Sequence, residues 1–312
     1  MNVKDYDRLA VVGGGTMGRG ISQAAAKRGI NVLLIEQDSE KLKQAKEAIE
    51  DTLEREVERW SMTEDERNAI LENIDFSVGL ESITDELFIL EVVSENFEAK
   101  KNIFVQLCEL CKPETIFITN TSTLSITELA SATKRPDKFI GMHFLNPVSK
   151  VRMVEVVRGL KTSAETFQRT RVLATKLDRT AIEVFESPGY VTTRVMMPLV
   201  NEAIQVLMEG IASADDIDTA IRLGYELPHG PLAMADSIGL DLVLSWMDTL
   251  FRDLGDSKYR PCPLLRMLVR AGHLGVKTGQ GFFRYDNDGS QIPGSGQAAA
   301  AYTKFVVESR ML

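Results

Sequence analysis

Cysteine and histidine are scarce in this chain, with three of each among 312 residues. The cysteines, Cys108, Cys111 and Cys262, are too few and too unevenly spread for a disulfide framework. Cys108 and Cys111 form a Cys-x-x-Cys pair, but they lie inside a helix-like stretch, whereas a redox pair should open a helix after a strand. The histidines are far apart in the sequence, and we therefore predict no metal site.

Long apolar runs and an excess of positive charge are also missing. No apolar stretch approaches the ~20 residues of a membrane helix, and the N-terminus lacks the basic region and apolar core of a signal peptide. We therefore predict a cytoplasmic protein without a membrane partner. The formal net charge of −9 argues against a nucleic-acid partner, whose phosphates require a basic face.

Apolar runs and helical patterns alternate over the first 186 residues, which predicts an α/β domain. Apolar runs at residues 8–12 and 31–36 flank a helical pattern that ends at Gly29, as in a βαβ unit with parallel strands. Further strand candidates lie at residues 87–93, 115–119, 138–143, 151–157 and 181–185. Between the apolar runs at residues 31–36 and 87–93, the pattern predicts an inserted helical hairpin. It consists of a long charged helix at residues 40–60 and a second helix opened by the capping box Thr63-x-x-Glu66.

The pattern changes after Ser187-Pro188-Gly189, where strand-like runs stop. Helical patterns then occupy residues 191–209, 214–223, 231–254 and 263–271. We predict a Rossmann domain over residues 1–186, with a mostly parallel doubly wound sheet, and an all-α domain over residues 187–285. Residues 286–312 are predicted to be a tail, with a flexible link to a short terminal helix.

A glycine-rich turn follows the first predicted strand and opens a helix. Its glycines, Gly13, Gly15 and Gly18, form a G-x-G-x-x-G pattern. The first glycine permits a tight turn, the second lets the backbone approach a pyrophosphate, and the third lets helix and strand pack closely. We expect this turn, which includes Thr16 and Met17, to bind dinucleotide phosphates through free N–H groups at the helix N-terminus.

Glu36 ends the second predicted strand, 18 residues after Gly18. A carboxylate at this position can accept hydrogen bonds from the adenosine ribose hydroxyls, and it would repel a 2′-phosphate. The sequence therefore predicts NAD rather than NADP as the cofactor. The alternative is a glycine turn that binds no ligand.

A histidine stands at the carboxyl end of another apolar strand, the edge that faces the ligand crevice in open α/β sheets. This residue, His143, is followed by Glu155 in the next predicted strand. A carboxylate bonded to Nδ1 would fix the tautomer and leave Nε2 free to take a proton. A glutamate among valines is otherwise costly, so we predict that the two side chains form a catalytic pair.

Ser122 follows a further predicted strand and would reach the same crevice. Its hydroxyl could donate or accept a hydrogen bond at a substrate oxygen. The alternative is that Ser122 is the N-cap of a helix that begins near Ile126.

Several short motifs are spread along the chain: Gly13-x-Gly15-x-x-Gly18, Asn120-Thr-Ser, His143-Phe-Leu-Asn-Pro-Val, Glu155, Ser187-Pro-Gly-Tyr, Gly230-Pro-Leu, Tyr259-Arg-Pro-Cys-Pro-Leu-Leu and Lys277-Thr-Gly-Gln-Gly-Phe-Phe. Together they resemble the motifs of the 3-hydroxyacyl-CoA dehydrogenase family, especially its bacterial 3-hydroxybutyryl-CoA branch. The resemblance extends from about residue 8 to residue 285.

The resemblance implies NAD-dependent, reversible oxidation of an (S)-3-hydroxyacyl-CoA by a homodimer whose helical domain forms the dimer. It implies that His143 and Glu155 are the catalytic dyad and that Ser122 contacts the substrate hydroxyl. It also places Glu95 and Lys100 near the cofactor; without it, both would be ordinary surface charges.

Two features depart from the family pattern. Thr193 occupies the position at which the family usually has an asparagine that holds the substrate, and the inserted hairpin is rich in acidic residues. Two other substrates therefore stay open, a hydroxyacyl group on an acyl carrier protein and another 3-hydroxy acid. A non-catalytic NAD-binding protein is a further alternative, although it should have lost the dyad.

Glu36 leads to a first testable prediction. Wild-type enzyme should have a much higher kcat/KM with NAD than with NADP, and Glu36→Ala should narrow this gap because the repelling charge is gone. Steady-state kinetics with both cofactors measure the ratio, with Glu40→Ala as the control substitution. Equal kcat/KM values for the two cofactors in the wild type would contradict the assignment.

Overall fold

The computed structural model describes residues 6–83 and 85–296, and the short terminal helix predicted for the tail lies outside them. The chain divides into two units between Tyr190 and Val191, shortly after the segment where strand-like sequence stops. Among the described residues, no helix is long and apolar enough to cross a membrane.

The N-terminal unit is built on an eight-stranded sheet in the order β3-β2-β1-β4-β5-β6-β7-β8. Strand β7 runs antiparallel to β6, and the other neighbouring pairs are parallel, which confirms the mostly parallel sheet. The strands are β1 (Arg8–Val12), β2 (Asn31–Glu36), β3 (Ile74–Val78), β4 (Phe88–Glu91), β5 (Ile116–Thr119), β6 (Phe139–Phe144), β7 (Met153–Arg158) and β8 (Thr180–Phe185). The helices are α1 (Thr16–Ala26), α2 (Ser39–Glu58), α3 (Glu64–Glu72), α4 (Phe97–Leu110), α5 (Ile126–Ser131) and α6 (Ala164–Lys176).

The central strands β4, β5 and β6 are buried along their whole length. Helices cover both faces of a parallel sheet, so such strands are continuous apolar runs that are easily recognised in a sequence. Strand β3 was missed by the sequence analysis. It lies at the edge of the sheet, and its sequence, Ile-Asp-Phe-Ser-Val, is buried only at Ile74, which leaves too little apolar pattern to mark it.

The predicted helical hairpin is formed by α2 and α3. Asp38 caps α2 by accepting a hydrogen bond from the Lys41 N–H, and Thr63 and Glu66 form the predicted capping box of α3. Along α2 only a narrow apolar stripe is buried, formed by Ala45, Ile49 and Leu53. The polar residues of this helix are therefore left for its outer face.

The C-terminal unit contains the helices α7 (Thr192–Met208), α8 (Ala214–Gly224), α9 (Pro231–Ile238), α10 (Leu240–Leu254) and α11 (Pro263–Arg270). The single helix predicted over residues 231–254 is wrong, because the chain breaks at Gly239, whose φ of +103° lies outside the helical region. Glycine tolerates this conformation, and the apolar residues on both sides conceal the break from an analysis of periodicity.

A buried carboxylate holds the last part of this unit together. Asp236, on α9, accepts hydrogen bonds from the N–H groups of Phe282 and Phe283 and from the Tyr285 hydroxyl, each at 2.9 Å. Burial raises the pKa of Asp236 to about 7, although these three donors oppose the rise. The contact is so close that a Cβ on Gly281 would lie 1.9 Å from the Asp236 Oδ1 atom.

We therefore expect the free energy of unfolding to fall as pH rises from about 4 to about 7. In that range the folded unit keeps a proton on Asp236 that the unfolded chain has lost, a difference on the order of 4 kcal/mol. Asp236→Asn should remove this dependence of the free energy of unfolding on pH. It should also destabilise the unit at pH 4 by about 1–3 kcal/mol, because an amide cannot accept all three hydrogen bonds.

Urea unfolding at several pH values, followed by Trp246 fluorescence in a Trp60→Phe background, measures this effect. Asp241→Asn is the control, since Asp241 is a partly exposed carboxylate paired with Lys277. If Asp236→Asn and the wild type show the same pH slope, Asp236 does not titrate as stated.

Candidate active site

The glycine turn between β1 and α1 has the geometry of a dinucleotide-binding loop. Gly13 has a φ of +111°, and a Cβ there would lie 3.1 Å from the carbonyl carbon and oxygen of Val92. A Cβ on Gly18 would lie 1.8 Å from the Gly13 carbonyl oxygen, so helix and turn pack too closely for any side chain. On Gly15, a Cβ would meet no described atom within 4 Å. The turn is tight where the chain packs and open where a pyrophosphate would lie.

The first turn of α1 leaves backbone donors for an anion. Gly15 is the N-cap and has no side chain to satisfy the N–H groups of the turn that begins with Thr16 and Met17. Glu36, at the end of β2, accepts hydrogen bonds from the Gly14 N–H at 2.6 Å and from the Gln37 N–H at 3.0 Å. The structure thus brings the predicted acidic residue to the glycine turn, and these residues fit an NAD molecule.

His143 and Glu155 lie directly opposite each other in the antiparallel pair of β6 and β7. The His143 Nδ1 and Glu155 Oε2 atoms are 2.7 Å apart, and both side chains are buried. On the other side of the ring, His143 Nε2 lies 3.1 Å from the Ser122 Oγ atom. When the Nδ1–H group donates a hydrogen bond to Glu155, Nε2 carries no proton and can accept one, which is the arrangement that a general base needs.

Ser122 does not cap a helix, so the alternative interpretation of this residue is wrong. The N-cap of α5 is Ser125, whose hydroxyl accepts a hydrogen bond from the Glu128 N–H. Ser122 lies earlier in the loop after β5, where its hydroxyl faces the imidazole of His143.

The Glu95 carboxylate holds the loop that follows β5. Its Oε1 atom accepts hydrogen bonds from the Thr121 hydroxyl at 2.5 Å and from the N–H groups of Ser122 at 3.0 Å and Thr123 at 3.2 Å. Lys100 Nζ is 3.7 Å from the Glu95 Oε2 atom. The Lys100 side chain is completely buried and is therefore not an ordinary surface charge, and the cofactor contacts of Glu95 and Lys100 stay predictions.

The sequence analysis missed Glu91, which ends β4 and forms an ion pair with Lys100 at 2.7 Å. Burial raises the pKa of the Glu91 carboxyl, and the ammonium of Lys100 opposes this rise. An acidic residue in an otherwise apolar strand was the available signal, as it was for Glu155.

Two other side chains lie near His143. The Asn120 side chain accepts a hydrogen bond from the Phe144 N–H at 2.9 Å, and the ring centroids of Tyr190 and His143 are 5.5 Å apart.

Tyr190 and Thr193 lie on either side of the division between the two units. Burial raises the pKa of Tyr190 well above its usual value, and the neighbouring carboxylates, first Glu95, add to the rise. Tyr190 is thus a neutral phenol beside the histidine. Thr193 is buried in the first turn of α7, in the C-terminal unit, and its contact with substrate stays a prediction.

Metal ligands are not grouped in the described residues: within 6–83 and 85–296, no three His, Cys, Asp or Glu side chains are placed to hold a metal ion. The three cysteines are buried and free. The site therefore consists of a dinucleotide-binding turn and, at the carboxyl edge of the same sheet, a histidine between a carboxylate and a hydroxyl.

These features define an NAD-dependent dehydrogenase. The family model of the 3-hydroxyacyl-CoA dehydrogenase NAD binding domain matches residues 8–187, and that of the C-terminal domain matches residues 189–285. The chain therefore belongs to the 3-hydroxyacyl-CoA dehydrogenase family, and NAD is its cofactor.

Relatives of this family cover nearly the whole chain. A probable 3-hydroxybutyryl-CoA dehydrogenase of Bacillus subtilis is 44% identical over 282 residues, which are 90% of this chain and 98% of the relative. The 3-hydroxybutyryl-CoA dehydrogenase of Clostridioides difficile is 42% identical over 279 residues, 89% of this chain and 99% of the relative. The crystal structure of (S)-3-hydroxybutyryl-CoA dehydrogenase PaaH1 from Ralstonia eutropha matches with a TM-score of 0.84 and 39% identity, covering 90% of this chain and 99% of that one.

The His143–Glu155 contact leads to a prediction about the chemical step. His143→Gln should lower kcat about a hundredfold or more while the affinity for NADH is retained, because it removes only the proton acceptor. Glu155→Gln should also lower kcat, and adding it to His143→Gln should have little further effect, since the carboxylate acts through the ring. Steady-state turnover and NADH fluorescence titration measure the two quantities. Losses that multiply in the double variant would mean that the residues do not act as a pair.

Proposed function

We propose that this enzyme oxidises (S)-3-hydroxybutyryl-CoA, or a closely related short (S)-3-hydroxyacyl-CoA, to the 3-oxoacyl-CoA, and that it also catalyses the reverse reduction. The observation that carries the chemistry is the line of hydrogen bonds from Ser122 through His143 to Glu155. The Bacillus subtilis and Clostridioides difficile relatives act on this substrate by name, and their identity of 42–44% over most of this chain supports a shared reaction.

The three side chains have distinct roles in the proposed mechanism. His143 Nε2 takes the proton of the substrate 3-hydroxyl, and Glu155 stabilises the imidazolium that forms. Ser122, within hydrogen-bond distance of the same nitrogen, orients the substrate oxygen towards it. The glycine turn and Glu36 would hold NAD, which would supply the hydride acceptor for C3. In the reverse direction His143 returns the proton.

A basic pocket in the N-terminal unit supports CoA as the carrier. The pocket has a volume of about 570 Å³, and it lies between α1, the α2–α3 hairpin and the loop that follows β6. Seven basic side chains and one carboxylate, that of Glu56, line it. The basic residues are Arg19, Lys27, Arg28, Arg59, Lys150, Arg152 and Arg179.

Several of these charges are available to a ligand. Within the described part of the chain, Lys27, Arg59 and Lys150 form no ion pair, whereas Arg28 and Arg152 share Asp178. Three phosphate groups of CoA carry charge that such a cluster would neutralise, because guanidinium and ammonium groups bind phosphate strongly. The pocket also borders Thr16 of the glycine turn and Asn146, which follows β6, so a ligand there lies close to the edge that carries His143.

The acidic composition of the hairpin gave a misleading impression of this region. Of its acidic residues, only Glu56 lines the pocket. The positive charge comes mostly from α1 with the turn that follows it and from the segments that precede β7 and β8. The pocket therefore removes one of the two reasons for doubting a CoA substrate. An acyl carrier protein stays an alternative only through Thr193, whose shorter side chain would change the acyl site.

A homodimer is part of the proposal. On the C-terminal unit, large apolar side chains are exposed at Val195, Ile211, Leu223 and Tyr225, each at least 63% accessible. Such side chains on a helical unit are typical of a surface that meets another copy. The cytoplasmic location predicted from the sequence is kept as part of the same proposal.

The choice of carrier can be tested with acetoacetyl-CoA, acetoacetyl-pantetheine and acetoacetyl-acyl carrier protein in the NADH-dependent reduction. We expect acetoacetyl-CoA to have the highest kcat/KM. Arg59→Ala should raise the KM for acetoacetyl-CoA about tenfold, because one charge-assisted hydrogen bond to the substrate is lost. It should change kcat little. It should leave kcat/KM for acetoacetyl-pantetheine unchanged, because that substrate has no phosphates.

Arg55→Ala is the matched control, since Arg55 is exposed in the last turn of α2, of which Arg59 is the C-cap, but does not line the pocket. It should behave as the wild type with every substrate. A higher kcat/KM for the carrier-protein substrate than for the CoA ester would overturn the proposed carrier. Equal effects of the two arginine substitutions would show that the basic pocket does not bind the CoA phosphates.

A further inference from the structure

A tryptophan stands in the turn between the two helices of the hairpin. Helix α2 ends at Glu58, Arg59 is its C-cap, and Trp60 follows with a side chain that is 96% exposed. A tryptophan ring stabilises a fold mainly through the large apolar surface that it buries. The fold therefore gains almost nothing from the size of this side chain.

The backbone of Trp60 adds a second cost. Its φ of +57° lies in the left-handed region, which a bulky side chain rarely adopts. The N–H groups of Trp60 and Ser61 bond to the carbonyl oxygens of Val57 and Glu56 at 2.9 and 3.0 Å, a helix ending in which glycine is the usual residue at this position. An exposed aromatic residue in a strained conformation points to a role outside the packing of the fold.

Trp60 lies at the rim of the basic pocket. Arg59 and Ser61, the residues on either side of it, both line that pocket. Glu58, Arg59, Ser61 and Thr63 are exposed polar residues, so the ring is not part of a continuous apolar stretch of the kind that contacts a protein partner. A single exposed ring beside a cluster of positive charge instead suits a nucleotide, which combines phosphates with one flat base.

We propose that the indole ring of Trp60 stacks on the adenine base of the CoA substrate. This inference rests on the proposed function. The ribose of CoA carries the base, the 3′-phosphate and one end of the pyrophosphate, so phosphates bound in the pocket bring the base to its rim. An indole ring covers the face of a purine and leaves the hydrogen-bonding edge of the base in water.

The same contact makes Trp60 a specificity residue. The phosphopantetheine group of an acyl carrier protein has no adenine, so the ring contributes affinity only to a nucleotide-linked substrate. The strain at Trp60 is then offset in the complex with CoA, and the free protein shows only its cost.

The binding test uses 3′,5′-ADP, which carries the base with two phosphates, in the presence of saturating NAD to occupy the dinucleotide site. In a Trp246→Phe background, 3′,5′-ADP should quench the fluorescence of Trp60 saturably, whereas inorganic pyrophosphate should not. By calorimetry, Trp60→Gly should raise the Kd for 3′,5′-ADP about tenfold, as expected for the loss of one stacked base, and change that for pyrophosphate less than about twofold. Trp60→Gly should fold at least as stably as the wild type, because glycine tolerates the left-handed conformation.

Steady-state kinetics test the same contact in the reaction. Trp60→Gly should raise the KM for acetoacetyl-CoA about tenfold with little change in kcat, because the base is remote from the reacting atoms. It should leave kcat/KM for acetoacetyl-pantetheine unchanged. Trp60→Phe, which keeps an aromatic ring, should restore most of the affinity for acetoacetyl-CoA.

Two control variants separate the ring from the backbone and from exposed apolar surface in general. Glu226→Gly removes a left-handed conformation, with a φ of +54°, from an exposed residue of the C-terminal unit. Leu160→Ala removes an apolar side chain that is 84% exposed and does not line the pocket. Neither should change the Kd for 3′,5′-ADP or the KM for acetoacetyl-CoA.

The proposal is overturned if Trp60→Gly leaves the Kd for 3′,5′-ADP unchanged, or if it weakens 3′,5′-ADP and pyrophosphate equally. Trp60 fluorescence that changes with protein concentration and not with 3′,5′-ADP would assign the ring to a contact between copies and would also overturn it. Wild-type enzyme that is inactive on every CoA ester, but in which 3′,5′-ADP quenches Trp60, would contradict the proposed function alone. Active enzyme in which Trp60→Gly has the KM of the wild type would contradict the adenine contact alone.

Discussion

The antiparallel pairing of β6 with β7 is the constraint on which the proposed active site depends. It places His143 opposite Glu155, so that the carboxylate meets Nδ1 and the other ring nitrogen faces Ser122. A shift of one residue in this register would send the glutamate side chain to the other face of the sheet. The buried carboxylate would then lack its partner, and the histidine would lose its fixed orientation.

Buried polar groups in the N-terminal unit follow a common pattern. In the described part of this unit, buried charged side chains are held in pairs, and a carboxylate beside two such pairs holds an irregular segment. Glu155 fixes the ring of His143, and Glu91 fixes Lys100. A third carboxylate, that of Glu95, accepts hydrogen bonds from four donors in the loop after β5. The loop has no regular hydrogen-bonding pattern of its own, so its shape depends on this carboxylate.

The charge of the whole chain conceals that of its parts. The net charge is −9, yet the pocket beside α1 is lined by seven basic side chains. Carboxylates on the outer face of α2 account for part of the excess, and they lie away from a ligand in the pocket. A negative total argues against a nucleic-acid partner, while the local cluster can still attract phosphate groups. The net charge of the chain therefore does not predict the charge of an individual pocket.

The sequence by itself determined the features that depend on neighbouring residues: the strand–turn–helix with its three glycines, the capping box at Thr63, and a buried glutamate twelve residues after His143. Only the tertiary structure decided the features that join distant segments. Edge strand β3 takes its identity from pairing with β2, Lys100 is buried because it meets Glu91, and the basic pocket combines residues from 16 to 179. Periodicity and capping are local properties of a chain, whereas burial and electrostatic potential depend on which segments the fold brings together.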